Sequence, residues 1–179
     1  MALVDPIPFD ALDDELRLLL GPRVERLGYL GEFFQLAAHQ PDALAGFIRF
    51  TESLKAALPW RLVEIAALTV ATETENDYER VQHERLALKL GMSEEELGAV
   101  LAGEVVPPAF APAEVATRAL AMNCARRTGR DGDGLLVALR DATDQATAVG
   151  VLLVCSRYLA HANFVNTMGI GVPEVVARA

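Results

Sequence analysis

The chain has 179 residues and a mass of 19.3 kDa, the usual size of one domain, so two domains joined by a linker are not expected. It is 52% hydrophobic and 23% charged, which excludes a disordered or low-complexity protein. With 16 Lys and Arg against 25 Asp and Glu, its net charge of -9 repels a phosphate backbone, so we expect no nucleic-acid partner.

Helical periodicity runs through almost the whole sequence, and no alternating run of β-branched residues indicates a strand. The sequence therefore predicts an all-α protein, a compact bundle of about seven or eight helices. The first helix is expected to follow a cap at Asp10 and to stop at Gly21-Pro22. A short helix over 30–39 and a core-facing helix over 42–58 are expected next.

The segment 60–72 is apolar on most sides, which is typical of a helix buried within a bundle, and Glu64 is its only acid. A polar link, ETEND, leads into an amphipathic helix, DYERVQHERLALKLG, that we expect to close at Gly91. Ser93 and Glu96 then form the pattern of a capping box, which predicts a further short helix.

Three prolines, Pro107, Pro108 and Pro112, form the one candidate hinge inside the chain. Helices are expected after it over about 112–128, 134–143 and 144–168.

The longest uncharged apolar run, Ala146–Ser156, is about half of the ~20 residues that span a bilayer, so we expect a buried helix and no membrane partner. The first residues lack the pattern of a secretion signal, which predicts a cytoplasmic protein. Cys124 and Cys155 should then be reduced, and they are too far apart in sequence for a CxxC pair or a local zinc site.

Two patterns that resemble metal sites are incomplete. His83-Glu84 begins an HExxH motif, but Ala87 stands where the second histidine is needed. The stretch GRDGDG resembles the start of a calcium loop, but Leu135 replaces its third ligand and no glutamate closes it. We therefore predict no metal.

Four polar residues on two consecutive helices form the candidate site: Glu64, then Asn76, Glu79 and His83. Glu79 and His83 lie one helical turn apart and share a face. Antiparallel packing across the short link would bring Glu64 toward them. A buried carboxylate beside an imidazole can transfer protons near neutral pH, because burial and charge shift both pKa values.

Structural explanations of the same residues stay open. Asn76 and Glu79 fit the N-cap and N3 positions of a helix, so Glu79 has a possible structural role. One structural role for His83 is a bond to Glu79 on its own helix and nothing more. One structural role for Glu64 is an ion pair with Arg61 or Arg85.

The run RLVEIAALTVATETENDYERVQHERLALKLGMSEEELGAVL resembles the carboxymuconolactone decarboxylase and alkylhydroperoxidase D-like (AhpD-like) family, and SRYLAHANFVNTMGI resembles its closing segment. The peroxidase branch has a Glu, a CxxC twelve residues on, and a His four residues beyond the second Cys. Here Glu64 and His83 keep their positions, while Asn76 and Glu79 replace the two cysteines. The resemblance implies one AhpD-like helical domain over 1–179, with a family-like core over about 50–170 and an N-terminal extension over about 10–40.

The missing thiols argue against the peroxidase activity, because a carboxylate cannot attack a peroxide as a thiolate does. The decarboxylase branch implies a cofactor-free enzyme that moves a proton on a lactone acid. We therefore expect His83 to donate or accept a proton, oriented by Glu64 and Glu79, in decarboxylation or isomerisation of a small organic acid.

For substrate binding we expect Asn76, Tyr78 at the pocket rim and a cation, for which Arg80 is a candidate together with Arg61 and Arg85. Two alternatives remain: an alkylhydroperoxidase or peroxiredoxin-type antioxidant protein, in which Cys124 would have to reach the pocket, and a non-catalytic helical module that binds a small ligand. The resemblance also implies a homo-oligomer, a trimer or a hexamer.

Overall fold

The computed structural model describes residues 4–102 and 110–173 of the chain. Within these ranges the chain forms nine α-helices, a short 3-10 helix at Phe9–Ala11 and no β-strand, which confirms the predicted all-α fold. The helices are α1 (Asp14–Leu27), α2 (Glu32–Ala37), α3 (Pro41–Ala57), α4 (Trp60–Glu73), α5 (Asp77–Lys89), α6 (Glu94–Ala102), α7 (Pro112–Arg127), α8 (Asp133–Ala142) and α9 (Gln145–Met168). This is one or two helices more than the expected seven or eight. Pro107 and Pro108 of the predicted hinge lie outside the described residues, and Pro112 begins α7.

Several helix ends follow the signals in the sequence. The capping box at the start of α6 is present: the Ser93 amide donates to Glu96 Oε2 at 2.8 Å, and the Glu96 amide donates to Ser93 Oγ at 3.1 Å. Gly91, just after α5, has a φ of 104°, a left-handed conformation that suits glycine. Local hydrogen bonding therefore determines these boundaries.

The first helix departs from the prediction at both ends. Its N-cap is Asp13 rather than Asp10, and α1 continues through Pro22 instead of stopping there. An interior proline costs roughly 3 kcal/mol. Burial of Leu16 and Leu20, each only 1% exposed, offsets that cost by holding α1 against the core.

Helix α4 lies at the centre of the bundle. It packs against α5, α6, α7 and α9, and every residue from Leu62 to Ala71 is buried. The apolar sequence of α4 therefore predicts its position correctly. Glu64 lies within this buried stretch, 3% exposed, and must find its partner on another helix.

Helix α9 is a second helix in the core of the bundle. By length and composition alone its 24 residues could cross a membrane, with a mean hydropathy of 1.4 over the most apolar window. Half of that window is buried inside the bundle, where α9 contacts α3, α4, α7 and α8. It also buries Arg157 and His161 among other helices. We interpret α9 as a core helix of the bundle.

Candidate active site

The hairpin of α4 and α5 brings Glu64 and His83 together. Residues 74–76 link the two helices, and Asn76 caps α5. Glu64 Oε2 lies 2.6 Å from His83 Nδ1, so a buried hydrogen bond joins the two side chains. The expected packing of the hairpin therefore places the acid against the histidine, and Glu64 does not pair with Arg61.

The other nitrogen of His83 faces α9. Its Nε2 lies 3.1 Å from the hydroxyl oxygen of Tyr158, and the two rings meet edge to face at 5.1 Å. Glu64, His83 and Tyr158 therefore form a hydrogen-bonded relay, which crosses from α4 through α5 to α9. Tyr158 is 75 residues from His83 in sequence, and no local spacing in the sequence indicated it.

The surroundings of His83 favour its protonated form. Burial alone would lower the pKa of His83, but the hydrogen bond to Glu64 and the attraction of Glu79 outweigh burial and raise the pKa above 6.5. Glu79 Oε1 lies 3.6 Å from His83 Nε2, an ion-pair distance rather than a hydrogen bond. Tyr158 is fully buried, which raises the pKa of its hydroxyl and keeps it a neutral phenol.

Glu79 has its main partner on α9 rather than on its own helix. Arg157 Nη1 donates to Glu79 Oε1 at 2.8 Å, and both side chains are less than a tenth exposed. Burial would raise the pKa of Glu79, but His161, Arg157 and His83 together hold it well below its ordinary value. Glu79 is therefore a permanent anion that holds the Arg157 guanidinium in place.

Arg157 is fixed from several sides. Its Nε donates to Thr51 Oγ1 on α3 at 3.1 Å, and its guanidinium carbon lies 4.9 Å from the ring centre of Phe47 and 4.2 Å from that of Tyr158. These contacts stabilise a buried cation, although burial alone would lower its pKa. Arg157, Tyr158 and Glu79 thus form one connected polar group with the relay.

Asn76 and His161 close the far side of this group. The Asn76 side-chain oxygen accepts from the Glu79 amide at 3.2 Å, and its Nδ2 lies 3.4 Å from His161 Nδ1. Asn76 therefore acts as the N-cap that its position suggests, but the Glu79 carboxylate points to Arg157 instead of completing a capping box. Burial lowers the pKa of His161 to about 4, so this histidine is neutral. His161 Nε2 is 3.8 Å from Glu79 Oε2.

Two of the expected substrate-binding residues have other partners. Arg80 lies near the surface of α5, where it pairs with Asp77 at 2.7 Å and with Glu84 at 2.5 Å. Tyr78 is buried in the apolar core, with its ring 6.0 Å from that of His161, rather than at a pocket rim. The structure therefore brings neither side chain into contact with the relay. The cation beside the relay is Arg157. In the sequence, its position within the apolar last helix is the one feature that indicates this role.

Arg61 also lies outside the cluster. It forms ion pairs with Glu96 at 2.7 Å and with Glu114, and these tie α4 to α6 and α7. Its role is structural: it holds the central helix against two neighbours.

The two cysteines meet at a different place in the bundle. Cys124 on α7 and Cys155 on α9 are hydrogen-bonded to each other within an apolar cluster. That hydrogen bond, together with burial, raises the pKa of Cys155 well above its ordinary value. Cys124 therefore has its contact with Cys155, not with Glu64 and His83.

A small cavity lies beside the relay. Its volume is about 10 Å³, roughly that of one water molecule. Its wall is formed by Thr51, Lys55, Arg157, Tyr158 and three aliphatic side chains, and the surface that they present to the cavity is almost entirely apolar. Tyr158, the last residue of the relay, is therefore one of the residues that border the cavity.

A larger open groove of about 460 Å³ lies between α7 and α8, but its lining is entirely apolar and contains no titratable group. Within 4–102 and 110–173, no group of three or more His, Cys, Asp and Glu side chains could hold a metal ion. We therefore take the relay and its hydrogen-bonded partners as the candidate site.

Comparison with known proteins agrees with the fold. The model of the carboxymuconolactone decarboxylase family matches residues 41–122, which include Glu64, Asn76, Glu79 and His83. No curated protein matches the chain.

Solved structures are similar over nearly the whole chain. The debrominase Bmp8, in a complex with 2,3,4-tribromopyrrole, has a TM-score of 0.83 at 15% identity, covering 99% of this chain and 95% of that one. An AhpD-core, peroxidase-related protein from Ralstonia eutropha has a TM-score of 0.77 at 20% identity, covering 96% and 93%. A protein of unknown function from Agrobacterium tumefaciens has a TM-score of 0.69 at 14% identity, covering 76% and 94%. At these identities the likeness shows the fold alone.

Proposed function

Because this chain belongs to the carboxymuconolactone decarboxylase and AhpD-like family, and because a carboxylate replaces a thiol in its site, we propose that it is a cofactor-free acid/base enzyme. Its substrate is a small organic acid, such as a lactone acid. The reaction is decarboxylation, in which a proton replaces carbon dioxide on carbon, or isomerisation, in which a proton leaves one carbon and another is added at a second carbon.

The observation that carries this proposal is the relay from Glu64 through His83 to Tyr158, a residue that also lines the small cavity. A proton donor must lie within hydrogen-bond reach of the atom it protonates, and Tyr158 is the relay member that lines the cavity. The similar debrominase binds a small cyclic molecule in its own structure, which supports a ligand of this size.

The residues suggest a simple order of events. As carbon dioxide leaves a substrate carboxylate, the electron pair of the broken bond remains on carbon. Tyr158 donates its proton to that carbon, and His83 Nε2–H donates its proton to the Tyr158 oxygen, which restores the phenol. Glu64 holds the Nδ1–H of His83, and solvent then reprotonates His83. Arg157, above the Tyr158 ring, stabilises the negative charge during the transfer.

A thiol peroxidase is the less favoured candidate. Peroxide reduction needs an accessible thiolate, whereas Cys124 and Cys155 are free thiols that are only 3% and 0% exposed and lie against each other. A thiol-dependent peroxide assay that loses nothing in the Cys124→Ala, Cys155→Ala double variant would exclude a cysteine mechanism.

A non-catalytic module is the other candidate, and the burial of the whole cluster favours it. Buried polar networks also occur as purely structural features. The two explanations differ in one measurable respect, because only a working relay exchanges protons with a bound acid.

Proton exchange therefore provides the test. The protein is incubated in D₂O with a panel of small lactone and unsaturated acids, and deuterium incorporation and carbon dioxide release are followed by NMR and mass spectrometry. We expect at least one acid to exchange, and His83→Gln to slow the exchange by about 100-fold to 10,000-fold. Tyr158→Phe should slow it as well, because it removes only the hydroxyl.

The matched control is His39→Gln. His39 is a surface histidine whose Nε2 bonds to the Asp5 carbonyl oxygen at 2.8 Å, and we expect its variant to exchange at the wild-type rate. An unchanged rate in His83→Gln would reject the proposed mechanism. No exchange with any acid would favour the non-catalytic module.

We also propose that the chain assembles as a homo-oligomer, a trimer or a hexamer. The apolar groove between α7 and α8 supports this, as do Val149 and Leu153, which are 53% and 40% exposed on α9. Light scattering on the purified protein determines the number of subunits.

A further inference from the structure

We propose that Asn76 fixes the proton of His161 on Nε2, and that His161 in this neutral form is a positioning residue for the Glu79 carboxylate. His83 is then the histidine beside Glu79 that supplies the mobile proton. This inference rests on the proposed function, since it assigns which of two buried histidines acts as the acid.

The helix cap determines the orientation of the Asn76 side chain. As the N-cap of α5, its Oδ1 accepts a hydrogen bond from the Glu79 backbone N–H at 3.2 Å. Only the oxygen of an asparagine amide can accept, so the NH₂ group must occupy the other end. That end faces α9, where Nδ2 lies 3.4 Å from His161 Nδ1.

The orientation of this amide then determines the tautomer of His161. The NH₂ group of Asn76 can only donate, so Nδ1 of His161 must be the unprotonated nitrogen that accepts. A proton on Nδ1 would place two N–H donors against each other, and both side chains are buried, at 1% and 3% exposure. An unpaired buried donor costs free energy. The neutral ring therefore carries its proton on Nε2.

The Nε2 side of His161 faces the Glu79 carboxylate. Nε2 lies 3.8 Å from Glu79 Oε2, longer than a hydrogen bond but close enough for an N–H to attract an anion. The other oxygen, Oε1, accepts from Arg157 Nη1 at 2.8 Å and lies 3.6 Å from His83 Nε2. One oxygen of Glu79 thus serves Arg157 and the relay, while His161 stabilises the other oxygen without adding a second imidazolium.

The two histidines beside Glu79 have similar surroundings with one difference. Each has its Nε2 within 4 Å of a Glu79 oxygen. At Nδ1, however, His83 meets the carboxylate of Glu64, whereas His161 meets the amide of Asn76. A carboxylate at Nδ1 favours the imidazolium, and an amide N–H at Nδ1 excludes it. The partner at Nδ1 therefore decides which histidine is charged.

The other neighbours of His161 agree with a neutral ring. Three aromatic rings lie around it, at centroid distances of 4.2, 6.0 and 6.5 Å: Phe33, Tyr78 and Phe47. Burial is the main cause that lowers the pKa of His161, to about 4. Four charged groups act on it, namely Glu79 and His83 on α5, Arg157 on α9 and Arg23 on α1. Glu79 is the one of these four that favours protonation.

The variant Asn76→Asp tests the role of the amide. Aspartate is as good an N-cap as asparagine, so α5 keeps its cap, but a carboxylate cannot donate to His161. Nδ1 of His161 would then meet a carboxylate, as Nδ1 of His83 does. The matched control is Asn163→Asp, which adds the same charge at an exposed position of α9, two residues from His161.

The measurement is ¹⁵N NMR of the histidine rings, which distinguishes protonated from unprotonated ring nitrogens. The chain has only three histidines, so His39→Gln and His83→Gln assign the resonances. At pH 7 we expect His161 to carry its proton on Nε2 in the wild type and in Asn163→Asp. In Asn76→Asp we expect Nδ1 to be protonated and the pKa of His161 to rise by about 1 to 3.

Two results would overturn the tautomer assignment: a wild-type His161 with its proton on Nδ1, or an unprotonated Nδ1 in Asn76→Asp. The wild-type spectrum decides the matter even if Asn76→Asp does not fold.

The positioning role has its own test in the pKa of His83. His161→Phe removes the N–H beside Glu79, so Glu79 should attract His83 more strongly and raise the pKa of His83. His161→Gln keeps an N–H donor and should restore a value near that of the wild type. An equal pKa of His83 in all three proteins would overturn the positioning role.

These measurements need no substrate, so they separate this inference from the proposed function. The expected tautomer together with no proton exchange on any acid would reject the enzyme and keep the assignment of His161. Proton exchange that survives in His83→Gln but is lost in His161→Phe would make His161 the acid, and would overturn the inference.

Discussion

Helix α9 contributes to two buried sites that lie one turn apart, and they differ in what surrounds them. Cys155 meets Cys124 in an apolar cluster of α7 and α9, which we call the thiol pair. Arg157 and Tyr158 meet Glu79 and His83, which together with Glu64, Asn76 and His161 we call the polar cluster. Both sites hold groups that are reactive in other proteins.

The comparison indicates that the groups around a side chain, rather than its residue type, determine its reactivity. In the thiol pair the contact between the two thiols lowers the pKa of Cys124 and, together with burial, raises the pKa of Cys155. In the polar cluster opposite charges lie within hydrogen-bond distance, so Glu79 stays charged and the pKa of His83 rises although both are buried. Of the two sites, the polar cluster is the one that holds an imidazole between carboxylates, the arrangement suited to proton transfer near neutral pH.

Removal of one charge from the polar cluster should have the largest effect on stability. Arg157→Met leaves the buried Glu79 carboxylate without its closest cation, and breaking a buried ion pair in this way typically costs about 3–5 kcal/mol. Urea-induced unfolding measures the loss in free energy of unfolding. The double variant Glu79→Gln, Arg157→Met should recover part of that loss, because no lone charge remains.

The control is Arg49→Met, which removes an exposed ion pair with Glu15 and should change stability little. If Arg157→Met were as stable as wild type, the polar cluster would not depend on charge pairing. The contrast with the thiol pair would then fail.

The two histidines of the polar cluster provide a second test, through pH. Burial lowers the pKa of His161 to about 4, so between about pH 6.5 and pH 4 the unfolded chain binds a proton that the folded chain does not. This group should therefore reduce the free energy of unfolding as the pH falls through that window, by about 1.4 kcal/mol per pH unit. His161→Phe should reduce this slope.

His83 acts in the opposite direction. Its folded pKa is raised above 6.5, so the stability that it contributes is fully present below pH 6.5 and is lost as the pH rises through the folded value. Urea unfolding across the pH range should therefore show His83→Gln losing most stability on the acid side. Identical pH profiles for wild type and both variants would contradict the assigned charge states.

The sequence predicts much of the fold because its local signals agree with its packing. The capping box of Ser93 and Glu96 and the apolar run of α4 both appear as expected. Pro22 misleads, because the burial of Leu16 and Leu20 in the core overcomes a strong local stop signal.

For the site, spacing on consecutive helices placed Glu64 beside His83 correctly, because a short link leaves little freedom. Spacing could not indicate Arg157 or Tyr158, since their contacts join positions about 75 residues apart. The sequence suggests Arg80 on α5 as the cation, but Arg80 forms ion pairs with two acids on its own helix, Asp77 and Glu84. The available sequence signal for these two site residues was an arginine followed by a tyrosine in the middle of an apolar helix.

The smallest expected effect comes from the thiol pair. The Cys124→Ala, Cys155→Ala double variant removes both sulfur atoms from a buried contact, so we expect a loss of about 1–2 kcal/mol in the free energy of unfolding. Proton exchange with the acid panel should remain at the wild-type rate, because neither thiol belongs to the relay. A marked fall in exchange at unchanged stability would place a thiol in the chemistry, and the two sites on α9 would then have to act together.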